Sequence, residues 1–193
     1  MTNIRTRWWR RAGDPPPRNL AWALPAAVIA TAAGFYFTRD QQRLWPALAV
    51  FTLAAVAAAA IDLDVLRIPT ALIYWSSQLI LIIVLFVGLD SCDARLIVRS
   101  YAAAAAVMLW WYLCALLTTG FGLGDVRLGL LIGLTTGAYS VTTAITSVIA
   151  ASVIGFVFAL THRMRDRSRT HFAFGPCLVL GALIAIWSSH GLN

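Results

Sequence analysis

The chain has 193 residues, of which 60% are hydrophobic and 12% charged, and its formal net charge is +7. A soluble domain carries about 25% charged residues, so this composition excludes a soluble globular protein and indicates a polytopic membrane protein. Every basic residue is an arginine, and the arginines lie in short stretches between long uncharged runs, so the positive charge predicts membrane orientation and not nucleic-acid binding.

The first element is an arginine-rich tail, residues 1–19, with two tryptophans and a triple-proline break. We expect this tail to lie at the cytoplasmic membrane surface and to help set the topology. The apolar run 20–37 follows, and because it is longer than the usual core of a signal peptide, we interpret it as an uncleaved first span. A polar loop at 38–43 leads to the second span, 44–61.

Further apolar runs continue along the chain, and none shows the alternation that is typical of a strand. The remaining predicted spans are residues 71–89, 100–119, 126–138, 141–160 and one that begins near 172. The run 126–138 is too short to cross a hydrocarbon core of about 30 Å unless the bilayer is thinned locally. The sequence therefore predicts an all-α, polytopic membrane helix bundle of about seven spans, one of them short, with residues 20–193 as a single transmembrane domain.

Two aspartates mark the ends of apolar runs. Asp125 follows a glycine-rich stretch, Gly120 to Gly124, and Asp62 follows the second span directly. A carboxylate at membrane depth is energetically costly, so it is a functional-site hypothesis by default. Glycines have no Cβ, which lets the backbone turn sharply and lets another chain approach closely, so Gly122 and Gly124 fit such a site.

The arginines between the spans indicate which helix ends share a membrane face. With the N-terminus in the cytoplasm, eleven arginines fall inside and four outside, a clear positive-inside bias. The four outside are Arg39, Arg43, Arg95 and Arg99. Alternate crossings then place Asp62 and Asp125 together at the cytoplasmic face, although 63 positions separate them in the sequence. Asp64 shares this face and is an alternative acid.

Two carboxylates that are held near each other with water between them favour one kind of hydrolysis. They cannot both ionise easily, so one stays protonated beside an ionised partner. The ionised member can take a proton from an attacking water while the protonated one donates a hydrogen bond to a scissile carbonyl. Other hydrolytic sites lack parts, because the sequence has no glutamate for a zinc-binding H-E-x-x-H helix and its histidines have no acid at a suggestive spacing. The cysteines, Cys92, Cys114 and Cys177, have no C-x-x-C pairing and are interpreted as small apolar fillers.

Three short motifs occur in order along the chain. Residues 62–69 read D-L-D-V-L-R-I-P, residues 122–128 read G-L-G-D-V-R-L, and residues 174–182 contain F-G-P followed by G-A. Together they resemble the motifs of the type IV prepilin peptidases, membrane-embedded aspartyl proteases of the GxGD class. Besides the two aspartates, the motif-supporting residues are Arg67, Pro69, Gly122, Gly124, Arg127, Gly175 and Pro176.

This resemblance implies an aspartic-type endopeptidase in which Asp62 and Asp125 form the catalytic pair without a metal or another cofactor. The implied substrates are pilin or pseudopilin precursors of type IV pilus assembly or protein secretion. Their leader is cut at the cytoplasmic face of the inner membrane, between a short basic segment and the hydrophobic stem. The lipid bilayer is the other expected partner, nucleic acid is not one, and no oligomeric state is implied.

The sequence departs from the family pattern at three places. Arg127 replaces the usual lysine and Thr70 the usual asparagine, and we expect a working enzyme to tolerate both changes. The cytoplasmic cysteine-rich region that accompanies N-methylation in bifunctional members is missing. The chain therefore resembles the short, peptidase-only members, and we expect cleavage without methylation.

Each candidate residue also has a purely structural interpretation. Asp62 could be a helix-end carboxylate that pairs with Arg67, and Asp64 could be a solvated loop charge. Arg127 could be an anchor whose charge reaches the membrane surface. The motif glycines could simply interrupt a helix, and the glycine–proline pair at 175–176 could be a kink.

Other functions stay open from the sequence alone. A small transporter or channel would bind a cation or relay protons with aspartates near the midplane, and its inverted repeat is not visible here. A catalytically silent assembly partner of a secretion machine would tolerate loss of either aspartate. Among proteases, presenilin-like enzymes share the G-x-G-D motif, but their P-A-L motif follows it, whereas here Pro-Ala-Leu at 46–48 precedes it.

Overall fold

The computed structural model describes residues 20–117, 122–165 and 173–189. The predicted tail, residues 1–19, lies outside these ranges, as do the side chains of the basic stretch 162–171. Within the described ranges the regular structure consists of seven α-helices and one 3₁₀ segment, Arg39–Leu44. The α-helices are α1 (Leu20–Phe37), α2 (Trp45–Val65), α3 (Thr70–Asp90), α4 (Ala94–Leu117), α5 (Leu123–Tyr139), α6 (Val141–Arg165) and α7 (Gly175–Ser188).

Length and composition identify the helices that can cross a membrane. In the described part of the chain, four are long and apolar enough, namely Arg39–Val65, Thr70–Asp90, Ala94–Leu117 and Val141–Thr161. Two shorter apolar helices, Trp22–Phe37 and Gly175–Ser188, pack with them. The predicted all-α membrane helix bundle is therefore confirmed.

Several helices extend beyond the apolar runs from which they were predicted. α1 has the predicted limits, but α2 continues to Val65 and α4 begins at Ala94, before the predicted start of its span. Charged residues that were assigned to loops are therefore helical, among them Asp64 in α2 and Arg99 in α4. A run of apolar residues ends at its first charge, whereas a helix continues for as long as its backbone groups find partners, and long charged side chains can reach the membrane surface.

Helix α5, which corresponds to the predicted short run 126–138, is the centre of the bundle. It has 17 residues, 13 of them buried, and it contacts α2, α3, α4, α6 and α7. Glycines on one of its faces let a neighbouring helix pack closely against it, which is typical of helix contacts in membranes. The helix begins at Leu123, so Gly124 and Asp125 belong to its first turn and not to a preceding loop.

The connection between α2 and α3 turns the chain within four residues. Leu66 ends α2 in the left-handed conformation, with φ of 51°, and its N–H donates to the Asp62 carbonyl oxygen at 2.8 Å. Pro69 then precedes the first residue of α3, where a missing N–H costs no helical hydrogen bond. This turn lies against the start of α5, because Ile68 packs on Gly124.

Candidate active site

Asp62 lies in the last turn of α2 and contacts the start of α7. Its residue is only 6% exposed, and Oδ2 accepts a hydrogen bond of 3.0 Å from the backbone N–H of Gly175, the first residue of α7. The first N–H groups of a helix have no partner within the helix and carry a partial positive charge. The start of α7 therefore holds the Asp62 carboxylate in the manner of an anion site.

Gly175 and Pro176 make this contact possible. Pro176 lies in the first turn of α7, where no helical hydrogen bond is lost. A Cβ added at residue 175 would lie 2.8 Å from Asp62 Oδ2, which is closer than Cβ contacts in real structures. The glycine–proline pair thus starts a helix and does not kink one, and the glycine leaves room for the carboxylate.

Asp125 lies in the first turn of α5, and its residue is 8% exposed. Its Oδ2 accepts a hydrogen bond of 3.0 Å from the N–H of Gly122, and its own N–H donates to the Gly122 carbonyl oxygen at 3.0 Å. A carboxylate at the third position of a helix satisfies an N–H group before the helix and interacts favourably with the helix dipole. Asp125 is therefore held by the N-terminus of its own helix.

The packing of α2, α5 and α7 against one another brings the two aspartates together. The Asp62 and Asp125 carboxyl groups interact electrostatically, and the buried Cys177 thiol of α7 interacts with both. Over the described ranges, no arginine forms an ion pair with either aspartate. Two acids that are 63 positions apart in the sequence thus share one buried place at one end of the bundle.

Two contacts join the end of the first motif, residues 62–69, and the residue after it to the second motif, residues 122–128. A Cβ added at Gly124 would lie 3.1 Å from the Ile68 Cβ, so the glycine permits a close approach between the α2–α3 connection and α5. Arg127 Nη1 donates a hydrogen bond of 2.7 Å to Thr70 Oγ1 at the start of α3. These contacts fix the start of α5, and with it Asp125, relative to the end of α2.

Two predicted residues are placed apart from the pair. Arg67 is exposed and, within the described residues, forms no ion pair with Asp62. The structure therefore does not support the interpretation of Asp62 as a helix-end carboxylate that pairs with Arg67. The interpretation of Asp64 as a loop charge is wrong, because it lies in the last turn of α2 and is partly buried. Residues two positions apart in a helix do not face the same side, so Asp64 does not share the helix face on which Asp62 contacts Gly175.

Several residues around the pair were given no role in the site from the sequence, although Phe174 belongs to the F-G-P motif and Thr70 follows the first motif directly. Cys177 was interpreted as a filler, yet its thiol lies near both acids. Phe174 packs edge to face against Trp111 of α4, with ring centroids 5.6 Å apart, and thereby supports the start of α7. In the sequence, Thr70 was noticeable only because it follows Pro69 of the first motif directly. None of these contacts can be read from local spacing, because each joins distant helices.

The arrangement can perform general acid–base chemistry. Each carboxylate uses Oδ2 for a backbone N–H, which leaves Oδ1 for a water or a substrate carbonyl. Two adjacent carboxyl groups can share one proton, so one can act as base and the other as acid. In the part of the chain that the structure describes, no group of three or more His, Cys, Asp or Glu side chains could hold a metal ion.

Comparison with protein families matches residues 49–160 to the type IV leader peptidase family. The matched range covers more than half of the chain and includes Asp62 and Asp125, whereas Gly175 and Pro176 lie beyond it. Comparisons with curated proteins and with solved structures gave no match. The family is the one that the sequence motifs resemble, so that resemblance is confirmed. The chain therefore belongs to the type IV leader peptidase family and is a peptidase built on a helical membrane bundle.

Proposed function

We propose that this protein is an aspartic-type endopeptidase in which Asp62 and Asp125 activate a water molecule for peptide hydrolysis. The observation that carries the proposal is the meeting of these two buried acids at the ends of α2 and α5. The ionised acid takes a proton from the water, and the protonated acid donates a hydrogen bond to the scissile carbonyl. Because the proton is shared by the pair, neither role is assigned to one aspartate.

The proposed substrates are pilin or pseudopilin precursors. Such a precursor has a hydrophobic stem that lies in the bilayer, so the bond before the stem is presented at a membrane border. Asp62 and Asp125 lie in terminal turns of their helices and not in the middle, which suits a bond at that border. The same positions argue against a transporter, whose ionisable residues would lie near the midplane.

The proposed site faces the cytoplasm, and the protein resides in the inner membrane. This orientation is supported by the arginine distribution, since most arginines lie on the side of the acid pair when alternate crossings are counted. Beside the α2–α3 connection is a cavity of about 510 Å³, to which Arg67, Thr70 and Trp75 contribute. We propose that the leader segment of the substrate enters at this end of the bundle.

We also propose that the chain cleaves its substrate without methylating the new amino terminus. The support is the arrangement of the three cysteines, which lie in or beside three different helices. Cys92 follows α3, Cys114 lies in α4 and Cys177 in α7. No cluster of cysteines like that of the bifunctional relatives is therefore available in this chain.

The test is cleavage of precursor peptides, each a basic leader joined to a hydrophobic stem, by the purified full chain in lipid nanodiscs. Asp62→Asn and Asp125→Asn keep the shape of the side chain but remove its acid–base function, so each should lower the cleavage rate at least about 100-fold. Asp64→Asn is the matched control on α2 and should cleave at nearly the wild-type rate. Product masses are measured with S-adenosylmethionine present, so the same assay detects methylation.

Three outcomes would count against the proposal. Wild-type rates in either Asp62→Asn or Asp125→Asn would exclude the acid pair as the catalytic centre. No cleavage by the wild-type protein of any precursor that a known family member cleaves in parallel would favour the silent assembly partner. A product heavier by one methyl group would contradict the peptidase-only proposal while leaving the acid pair intact.

A further inference from the structure

A groove runs along the outside of the bundle between α4 and α6. Both helices pack against α5, but they contact each other much less, which leaves a cavity of about 610 Å³ between them. Its walls are almost entirely apolar and include Ala102, Ala106, Trp110, Ile145, Ile149 and Val153. The groove is separate from Asp62 and Asp125, neither of which lines it.

The length of the groove matches one leaflet of a bilayer. Its α6 wall extends from Val141 to Val153, and twelve steps of a helix correspond to about 18 Å. The hydrocarbon core of a membrane is about 30 Å thick, so one leaflet contributes roughly 15 Å. A transmembrane helix that crosses both leaflets would extend well beyond the groove, whereas a single acyl chain of a lipid fits along the length of the groove.

Arg99 lies at the end of the groove that is remote from the acid pair. Its Nη2 donates a hydrogen bond of 2.6 Å to the Ala138 carbonyl oxygen in the last turn of α5, and Asp125 lies about 20 Å away along that helix. Its Nε is buried and has no hydrogen-bond partner among the described residues. A buried charged donor without a partner is costly, so an acceptor that reaches Arg99 would be stabilising.

Arg99 also lines a second, polar cavity of about 440 Å³. Arg39 and Arg43 of the 3₁₀ segment contribute two more positive charges, and Asp40 contributes one negative charge. Arg43 forms an exposed ion pair of 3.7 Å with Asp90. The lining therefore carries three arginines against one aspartate, and a single side chain, Arg99, connects this cationic cavity to the apolar groove.

We propose that the groove and the adjoining cavity form a binding site for one anionic glycerophospholipid. One acyl chain lies between α4 and α6, and the headgroup phosphate accepts hydrogen bonds from Arg99 in the polar cavity. Arginine suits this role because its guanidinium matches the geometry of phosphate oxygens and forms charge-assisted hydrogen bonds with them. The site lies on the membrane face opposite to the acid pair and does not depend on the proposed peptidase chemistry.

The test is native mass spectrometry of the full chain in detergent, with phosphatidylglycerol or phosphatidylcholine of the same acyl chains added. We expect the anionic lipid to be retained roughly tenfold more strongly, as one charged hydrogen bond allows. Arg99→Gln should abolish this preference. Ala106→Phe should weaken retention of both lipids, because the new ring occupies the groove and leaves Arg99 unchanged.

Matched controls separate a site from general charge and surface effects. Arg95→Gln removes an exposed arginine one turn before Arg99, and Ala105→Phe adds a ring to an exposed position that does not line the groove. Both controls should bind like the wild type. Equal retention of the two lipids by the wild type, an unchanged preference in Arg99→Gln, unchanged retention in Ala106→Phe, or displacement of the lipid by inorganic phosphate alone would each overturn the proposal.

Discussion

Two glycines hold the two acids by the same device, but only one of them is sterically required. Gly122 donates its N–H to Asp125, and Gly175 donates its N–H to Asp62. A Cβ at residue 122 would stay 3.8 Å from the Asp125 carboxylate, an ordinary van der Waals distance, whereas a Cβ at residue 175 would meet the Asp62 carboxylate at 2.8 Å. Both glycines are motif residues, but only position 175 has no room for a side chain.

Gly175→Ala should reduce cleavage far more than Gly122→Ala. The methyl group at residue 175 would displace the Asp62 carboxylate, and a misplacement of about 1 Å at a reacting group can cost on the order of 100-fold in rate. Gly122→Ala keeps its N–H and has room, so its rate should stay within about a factor of three of the wild type. The measurement is the cleavage rate of a precursor peptide by each purified variant, and equal losses in the two variants would contradict the steric argument.

Helix α5 approaches α4 closely because glycine recurs every fourth residue on one of its faces. A Cβ added at Gly133 would lie 2.6 Å from the Ala103 carbonyl oxygen and 2.7 Å from the Ala104 Cα, and a Cβ at Gly137 would also meet α4. Helices in a membrane gain stability from such close packing, since lipid provides no hydrophobic drive between them. The central position of α5 in the bundle depends on the close packing of this glycine face against α4.

Gly133→Ala should destabilise the bundle by about 1 to 3 kcal/mol, because the obstacle is backbone that cannot move aside. The thermal unfolding midpoint in detergent, followed by circular dichroism, should fall by several degrees. Gly34→Ala on α1 is the matched control, since its added Cβ would meet the end of the Leu48 side chain at 2.6 Å, and a side chain can change rotamer. A midpoint for Gly133→Ala at or above that of Gly34→Ala would show that backbone proximity does not limit α5.

At the scale of the molecule, the helix connections named below lie at two opposite ends of the bundle. The α2–α3 connection and the start of α5 lie with the acid pair, whereas the 3₁₀ segment and the α3–α4 connection lie at the other end. Helix α3 has 21 residues, so its two ends are about 30 Å apart, which is the thickness of the hydrocarbon core. The arginine distribution predicts that the end with the acid pair faces the cytoplasm.

Native Cys92 provides a test of this topology. It is exposed directly after α3, so a membrane-impermeant maleimide added to intact spheroplasts should label it, and Cys92→Ser should remove that label. A reciprocal variant, Arg67→Cys in the Cys92→Ser background, places a thiol at an exposed position near the acid pair. That thiol should react only after the membrane is permeabilised, and the reverse pattern would contradict the cytoplasmic orientation.

The sequence by itself determined the class of fold, most helix positions and the two acids to examine. Long apolar runs specify membrane helices whatever their neighbours are, because the backbone in lipid must satisfy its own hydrogen bonds. The ends of apolar runs likewise singled out Asp62 and Asp125, and the resemblance to the family motifs added the Gly175-Pro176 pair. The start of α5 and the helical position of Asp64 were predicted incorrectly, since a change in hydropathy does not mark where helical hydrogen bonding ends.

Only the tertiary structure decided which of these residues act on one another. The bond from Gly175 to Asp62 spans 113 positions, and the bond from Arg127 to Thr70 joins the two positions at which the sequence departs from the prepilin peptidase pattern. The groove beside Arg99 likewise exists because α4 and α6 diverge around α5. Such contacts depend on how helix faces rotate and pack, and in an apolar bundle nearly every face is compatible with lipid, so hydropathy does not reveal which faces meet.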